Sequence, residues 1–83
     1  MTRRIEWTGP ARADVRRLDR QTAMTVLEGL ADYVMNGVGN VERLAGIHPP
    51  ELRIRVGDYR IRFWDHGDSI EILRVRHRSE VYR

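Results

Sequence analysis

The strongest constraint in this 83-residue chain is the alternation of arginine with apolar residues from Glu51 onward, ELRIRVGDYRIRFWDHGDSIEILRVRHRSEVYR. An extended strand points successive side chains to opposite faces, so residues two apart share a face. Leu52, Ile54 and Val56 therefore turn one way, and Arg53 and Arg55 the other. Tyr59, Ile61 and Phe63 repeat the split against Arg60 and Arg62. Gly57-Asp58 suits a tight turn between these two strands, and Asp65-His66-Gly67-Asp68 a short turn to the next. The spacing predicts strands over 51–56, 59–65 and 69–76. The last one breaks simple alternation, because Ile70 and Ile72 lie on one parity and Leu73 and Val75 on the other. Either its middle is buried on both faces or a bulge shifts its phase.

A sheet with one apolar face needs a cover, and the first half of the chain supplies it. Arg3 to Trp7 reads as a short strand. Thr8-Gly9-Pro10 stops it and opens a helix, since proline suits the first helical turn. Ala11, Val15 and Leu18 recur at helical spacing. Asp19 is a plausible N-cap for a second helix, along which Ala23, Val26, Leu27, Leu30 and Val34 trace one apolar stripe. Asn36-Gly37 ends it. Residues 37–50 read as a loop with Leu44 as its apolar anchor. The order strand, helix, helix, three strands predicts a single α+β domain over residues 1–83. In it a helical hairpin packs on one face of a small, mainly antiparallel four-stranded sheet, β-α-α-β-β-β.

Charge bears on the face left over. The formal net charge is +3, and all 15 basic residues are arginine. A GC-rich genome explains the absence of lysine. Its consequence holds regardless: arginine forks onto phosphates but does not give up a proton at neutral pH. Charged residues are ordinary on the wet face of a one-sided sheet. Against that plain reading, Arg53, Arg55, Arg60 and Arg62 share a parity that holds no acidic residue between 52 and 63, and like charges opposed across strands are destabilising. The pattern favours a surface for polyanions. Arg74, Arg76, Arg78, His77 and Tyr82 form a basic tail. Either Tyr82 packs against the sheet edge, or the tail brings a phenol and an imidazole beside the arginines.

Other chemistries find little support. With no cysteine there is no disulfide, thiolate metal site or cysteine nucleophile. His48, His66 and His77 lie far apart and show no metal-ligand spacing, so no metal is expected. Gly37-Val38-Gly39 lacks the lysine of a phosphate loop, and Ser69 and Ser79 show no nucleophilic pairing. Trp64 has the arginine parity and could stack a base, although core or interface is the commoner role. No apolar run nears the roughly 20 residues of a membrane span, and MTRRIEWTGP offers no signal-peptide core. A cytoplasmic protein without membrane contact or small-molecule cofactor is expected.

Taken together, these segments resemble the RelE/ParE superfamily of toxins from bacterial type II toxin–antitoxin pairs. The strand with Trp7 and the segment Ala11 to Leu18 are similar to the family's opening strand and helix. Leu44-Ala45-Gly46 matches its motif before the sheet. Arg53-Ile54-Arg55-Val56-Gly57-Asp58-Tyr59-Arg60 matches its central motif, and His77-Arg78-Ser79-Glu80-Val81-Tyr82 its ending. The resemblance implies a RelE-like toxin, a metal-independent endoribonuclease that cuts mRNA in the ribosomal A site through the RNA 2′-hydroxyl. It implies catalytic roles for Arg53, Arg55, Arg60, Arg76 and Tyr82, with Arg62, Arg74 and Arg78 holding phosphate. It also implies two partners, a cognate antitoxin and the ribosome with mRNA. The first two positions are often lysine in these RNases. Arginine at 53 and 55 removes a proton donor and makes His77 the residue to test as the acid. A ParE-like inhibitor of DNA gyrase, or a non-catalytic module binding nucleic acid or antitoxin, are the other readings.

Overall fold

The computed structural model describes residues 3–44, 46 and 50–81. His48 and Tyr82 therefore lie outside the described residues. The elements are β1 (Arg4–Trp7), α1 (Gly9–Arg16), α2 (Arg20–Asn36), β2 (Asn40–Leu44), β3 (Glu51–Val56), β4 (Tyr59–Asp65), β5 (Ser69–His77) and a short α3 (Arg78–Val81). Local chemistry sets the helix ends. Thr8 caps α1, its Oγ1 accepting from the Ala11 N–H at 3.3 Å. Asp19 caps α2 in the same way, accepting from the Thr22 N–H at 3.2 Å. Gly37, at φ 68°, closes α2 in the left-handed conformation that glycine adopts without a Cβ penalty.

The sheet has five strands in the order β1-β5-β4-β3-β2. β1 runs parallel to β5 and the other pairs are antiparallel. The additional strand, β2, falls within the segment expected to be loop. Its sequence, NVERL, has one residue, Val41, that pairs across to the buried Ile54, so it lacks the apolar alternation that marks a strand. Backbone pairing with β3 supplies the reason for its form. Leu44 is a half-buried strand residue opposite Glu51, not an anchor beneath a loop.

The helices cover one face. Ala11 of α1 and Val26, Leu30 and Val34 of α2 meet Ile54, Ile61, Phe63, Ile70, Ile72 and Val75 of the sheet. Each fully buried aliphatic or phenyl side chain contributes about 1.5–3 kcal/mol relative to exposure. Leu27, expected in the helical stripe, is instead 40% exposed. Gly29 takes the close position: a Cβ there would sit 2.7 Å from Val56 Cγ2. The bare backbone of Gly29 thus lets α2 approach β3, and Leu27 faces outward.

A bulge settles the phase of β5. Arg62 pairs with Arg74 and Phe63 with Ile72, leaving Leu73 unmatched. The extra residue lets Ile70, Ile72 and Val75 all reach the core despite their mixed parity. Beyond Trp7, α1 takes over the open edge of β5. The Thr8 N–H and Oγ1 donate to the Ile72 carbonyl at 3.2 and 2.8 Å. The Asp14 carboxylate accepts the Val75 N–H at 2.8 Å. A bare strand edge is an invitation to aggregate, and these contacts close it.

Candidate functional site

The register lays the uncovered face out as transverse rows. One row crosses the strands as Asn40, Arg55, Arg60 and Arg76. The next is Glu42, Arg53, Arg62 and Arg74. A third holds Leu44, Glu51, Trp64, Glu71 and Glu6. The face is therefore graded, basic at the end toward α3, mixed in the middle and acidic at the far end. The expected arginines do come together, but carboxylates come with them.

Most of these arginines have carboxylate partners. Arg53 pairs with Glu42 across the β2–β3 ladder. Arg62 grips the buried Glu51 with two bonds, Nε at 2.6 Å and Nη2 at 3.1 Å. Arg74 reaches around the edge of β5 to Asp14, Nε at 2.8 Å and Nη2 at 3.0 Å. Arg76 stands 3.5 Å from Glu80 of α3. The face expected to be free of acid is neutralised from outside the 52–63 window. Glu51 shares the parity of Arg53 and was legible as a neighbour. Glu42 required knowing that β2 is a strand, and Asp14 required the packing of α1.

Arg60 is the least open of its row. It is 5% exposed, and its Nη1 donates to the carbonyls of Gly57 and Tyr59 at 3.2 and 3.1 Å. The guanidinium holds the β3–β4 turn in shape while adding its charge to the row. Arg55 is exposed and has no ion-pair partner among the described residues. A cleft of about 140 Å³ lined by Asn40, Glu42, Arg53, Arg55 and Arg60 brings these groups together. A larger cleft of about 390 Å³ lies beside the β5 edge, where Arg17, Arg74 and Arg76 face Asp14, Tyr59 and Glu80. Arg78 is exposed at the start of α3, its backbone N–H donating to the Asp58 carbonyl at 2.7 Å.

His77 is separated from the row. It pairs with Tyr59, on the parity opposite to Arg60 and Arg76, and its ring stands edge-on to the Tyr59 ring at 5.3 Å. Its Nδ1 accepts from the Ser79 N–H at 3.2 Å, so the ring caps the start of α3. Trp64 sits between Glu51 and Glu71 in the acidic row, its indole N–H buried and without a protein partner among the described residues.

Burial pushes the Asp14 carboxyl up, but hydrogen bonds from Arg74 and the Val75 N–H, with the charges of Arg74 and Arg17, outweigh it and hold the group below the usual carboxylate range. Glu51 raises the pKa of Arg62, and Asp14 that of Arg74. Among the described residues, no three His, Asp or Glu side chains converge on a position that would hold a metal ion. No helix among them is long and apolar enough to cross a membrane.

Known proteins share this architecture. A family model for the ParE toxin of the type II toxin–antitoxin system, parDE, matches residues 5–82. The RelB-RelE antitoxin–toxin complex from Methanococcus jannaschii is similar at 23% identity and a TM-score of 0.73, covering 93% of this chain and 94% of that one. The archaeal RelE-RelB complex from Pyrococcus horikoshii is similar at 24% identity and a TM-score of 0.74, covering 94% and 97%. The RelBE2 toxin–antitoxin complex from Mycobacterium tuberculosis is similar at 26% identity and a TM-score of 0.71, covering 93% and 99%. No curated protein matches the chain.

Proposed function

The chain belongs to the ParE toxin family of type II toxin–antitoxin systems, within the RelE/ParE superfamily, and of the activities open to such a toxin we propose that it is a ribosome-dependent mRNA endonuclease acting in the A site. The observation that carries this reading is the transverse row Arg55, Arg60 and Arg76, contributed by three adjacent strands. Cations held in place before the reaction stabilise developing negative charge without reorganising, often the largest catalytic contribution. In the reaction, the RNA 2′-oxygen attacks the adjacent phosphorus and the 5′-oxygen leaves, taking its proton from solvent water. The products are a 2′,3′-cyclic phosphate and a 5′-hydroxyl. The arginine row holds the charge of the pentacovalent phosphate.

The proton of the 2′-hydroxyl needs an acceptor. Tyr82, which directly follows α3 in sequence, takes that role by family resemblance. A phenol of ordinary pKa about 10 does so at neutral pH only where cations depress it. Arg78, exposed at the start of α3, takes a phosphate-holding role, while Arg53, Arg62 and Arg74, held by Glu42, Glu51 and Asp14, take positioning roles beside the row. His77 is not carried into this scheme as the acid, because its ring faces the other side of the sheet. The ribosome supplies orientation of the message, which can account for a large share of the rate. The toxin works in the cytoplasm, and its partner in the resting state is a cognate antitoxin.

The test is cell-free translation with mapping of mRNA ends. Cuts with 2′,3′-cyclic phosphate ends on ribosome-bound message support the reading. A second reading, inhibition of DNA gyrase, is favoured by the ParE family match and by the carboxylate pairing of Arg53, Arg62, Arg74 and Arg76. Intact message alongside lost gyrase supercoiling would establish it in place of the first.

A further inference from the structure

The graded face does more than collect arginines. Along a strand, four residues separate Arg55 from Glu51, and likewise Arg60 from Trp64, a distance of about 13 Å at 3.3 Å per residue. Physiological salt screens exposed charges over about 8 Å. The acidic row therefore leaves the attraction of the arginine row nearly intact. Anything laid across the far half of the face, by contrast, lies directly on it. Glu51 is neutralised by Arg62. Glu6 is exposed and has no ion-pair partner among the described residues, and Glu71 has only His66, at 2.9 Å, which is charged only if protonated. The net negative charge of the row thus comes from Glu6 and Glu71 on β1 and β5.

We propose that Glu6 and Glu71 form a negative border that confines a bound single-stranded polynucleotide to the Arg55–Arg60–Arg76 row, so that its backbone crosses the strands instead of running along them. Three adjacent strands at about 4.8 Å spacing give a track about 10 Å long. The middle row does not extend that track, because Glu42, Glu51 and Asp14 hold its arginines at 2.5, 2.6 and 2.8 Å, whereas Glu80 stands 3.5 Å from Arg76. The border also keeps phosphate away from Trp64. This inference rests on the nucleic-acid reading of the same face and specifies the path of the ligand on it.

The experiment is fluorescence anisotropy of a labelled single-stranded oligoribonucleotide over a salt series, with wild type, Arg55→Ala and the double variant Glu6→Gln/Glu71→Gln, which removes the border charges without adding a cation. For single strands, each phosphate neutralised steepens the dependence of log K on log salt by about 0.7. The double variant is expected to bind several-fold more tightly at low salt, a gain that fades as salt screens the border charges. Arg55→Ala is expected to make the slope shallower by about 0.7. If Arg55→Ala weakens binding while the double variant matches wild type, the border is overturned and the arginine row stands. If wild type does not bind a free strand, or Arg55→Ala changes nothing, the border is overturned, while the cell-free translation assay decides the nucleic-acid reading separately. Thermal melting of the double variant checks that the exposed substitution at Glu6 has left the fold intact.

Discussion

Asp14 on α1 and Arg74 on β5 form a two-point ion pair, at 2.8 and 3.0 Å, that wraps around the edge of the sheet. The same carboxylate accepts the Val75 N–H and bonds Arg17 at 2.7 Å. One buried acid thereby fastens the first helix to the bulged strand and takes an arginine out of the open face. Breaking a buried pair by neutralising one partner costs about 3–5 kcal/mol. Asp14→Asn is expected near the lower figure, because an amide oxygen still accepts one bond. Urea unfolding measures it, and a change under 1 kcal/mol would remove Asp14 from this role.

The same residue sets part of the acid limb of stability. Its carboxyl titrates lower folded than unfolded, as does that of Asp65, which bonds the Gly67 N–H and Arg3. The unfolded state then binds protons first as pH falls. The stabilisation is fully present above the unfolded value of about 3.9 and drains away as pH drops through the folded one. Asp14→Asn should show a flatter decline below about pH 4 than wild type. Parallel curves in the two proteins would contradict this.

Gly29 offers a change of sign. At an unencumbered helical site, glycine to alanine gains about 1 kcal/mol. Here the new methyl meets Val56 at 2.7 Å, and overpacking of this kind costs about 1–3 kcal/mol. Gly29→Ala should destabilise wild type yet be neutral or stabilising in a Val56→Ala background. Equal effects in both backgrounds, read from melting temperatures, would mean that the contact yields without strain.

Arg55 and Arg60 should separate function from stability. Removing Arg60 leaves the carbonyls of Gly57 and Tyr59 without their donor, a loss of about 2 kcal/mol. Its cleavage defect will therefore be mixed with a folding defect. Exposed Arg55 should cost under about 0.5 kcal/mol when cut to alanine, while mRNA cleavage on ribosomes falls by about 10²-fold or more, as for loss of one preorganised charge contact. Full activity of Arg55→Ala in the cell-free assay would take it out of the mechanism.

Tyr82→Phe removes only the phenolic oxygen. Under the proposed scheme cleavage should fall strongly while the melting temperature holds, and the residual rate should lose its dependence on tyrosine ionisation at high pH. Unchanged cleavage would return the base role to another group.

The period-two pattern of residues 51–65 was sufficient to place β3 and β4 and to orient their faces, because each has one face to bury. Pro10 announced the start of the first helix, and Asp19 that of the second through a side chain suited to capping. β2 was not legible, since an edge strand with one core-facing apolar residue is held by backbone hydrogen bonds that leave no mark on side-chain pattern. The phase of β5 was legible only as two alternatives, and pairing with β4 decided between them at Leu73.

For the site, sequence alone determined that four arginines, Arg53, Arg55, Arg60 and Arg62, would share one sheet face, since strand alternation and hairpin turns are local, while the bulge in β5 decided that Arg74 and Arg76 join them. Which of them remain free is a tertiary matter. Glu42 arrives from β2, Asp14 from α1 and Glu80 from α3, and burial turns Arg60 toward its own turn. Charge on a surface depends on what packing brings within a few ångströms, and those distances are set only when distant segments meet.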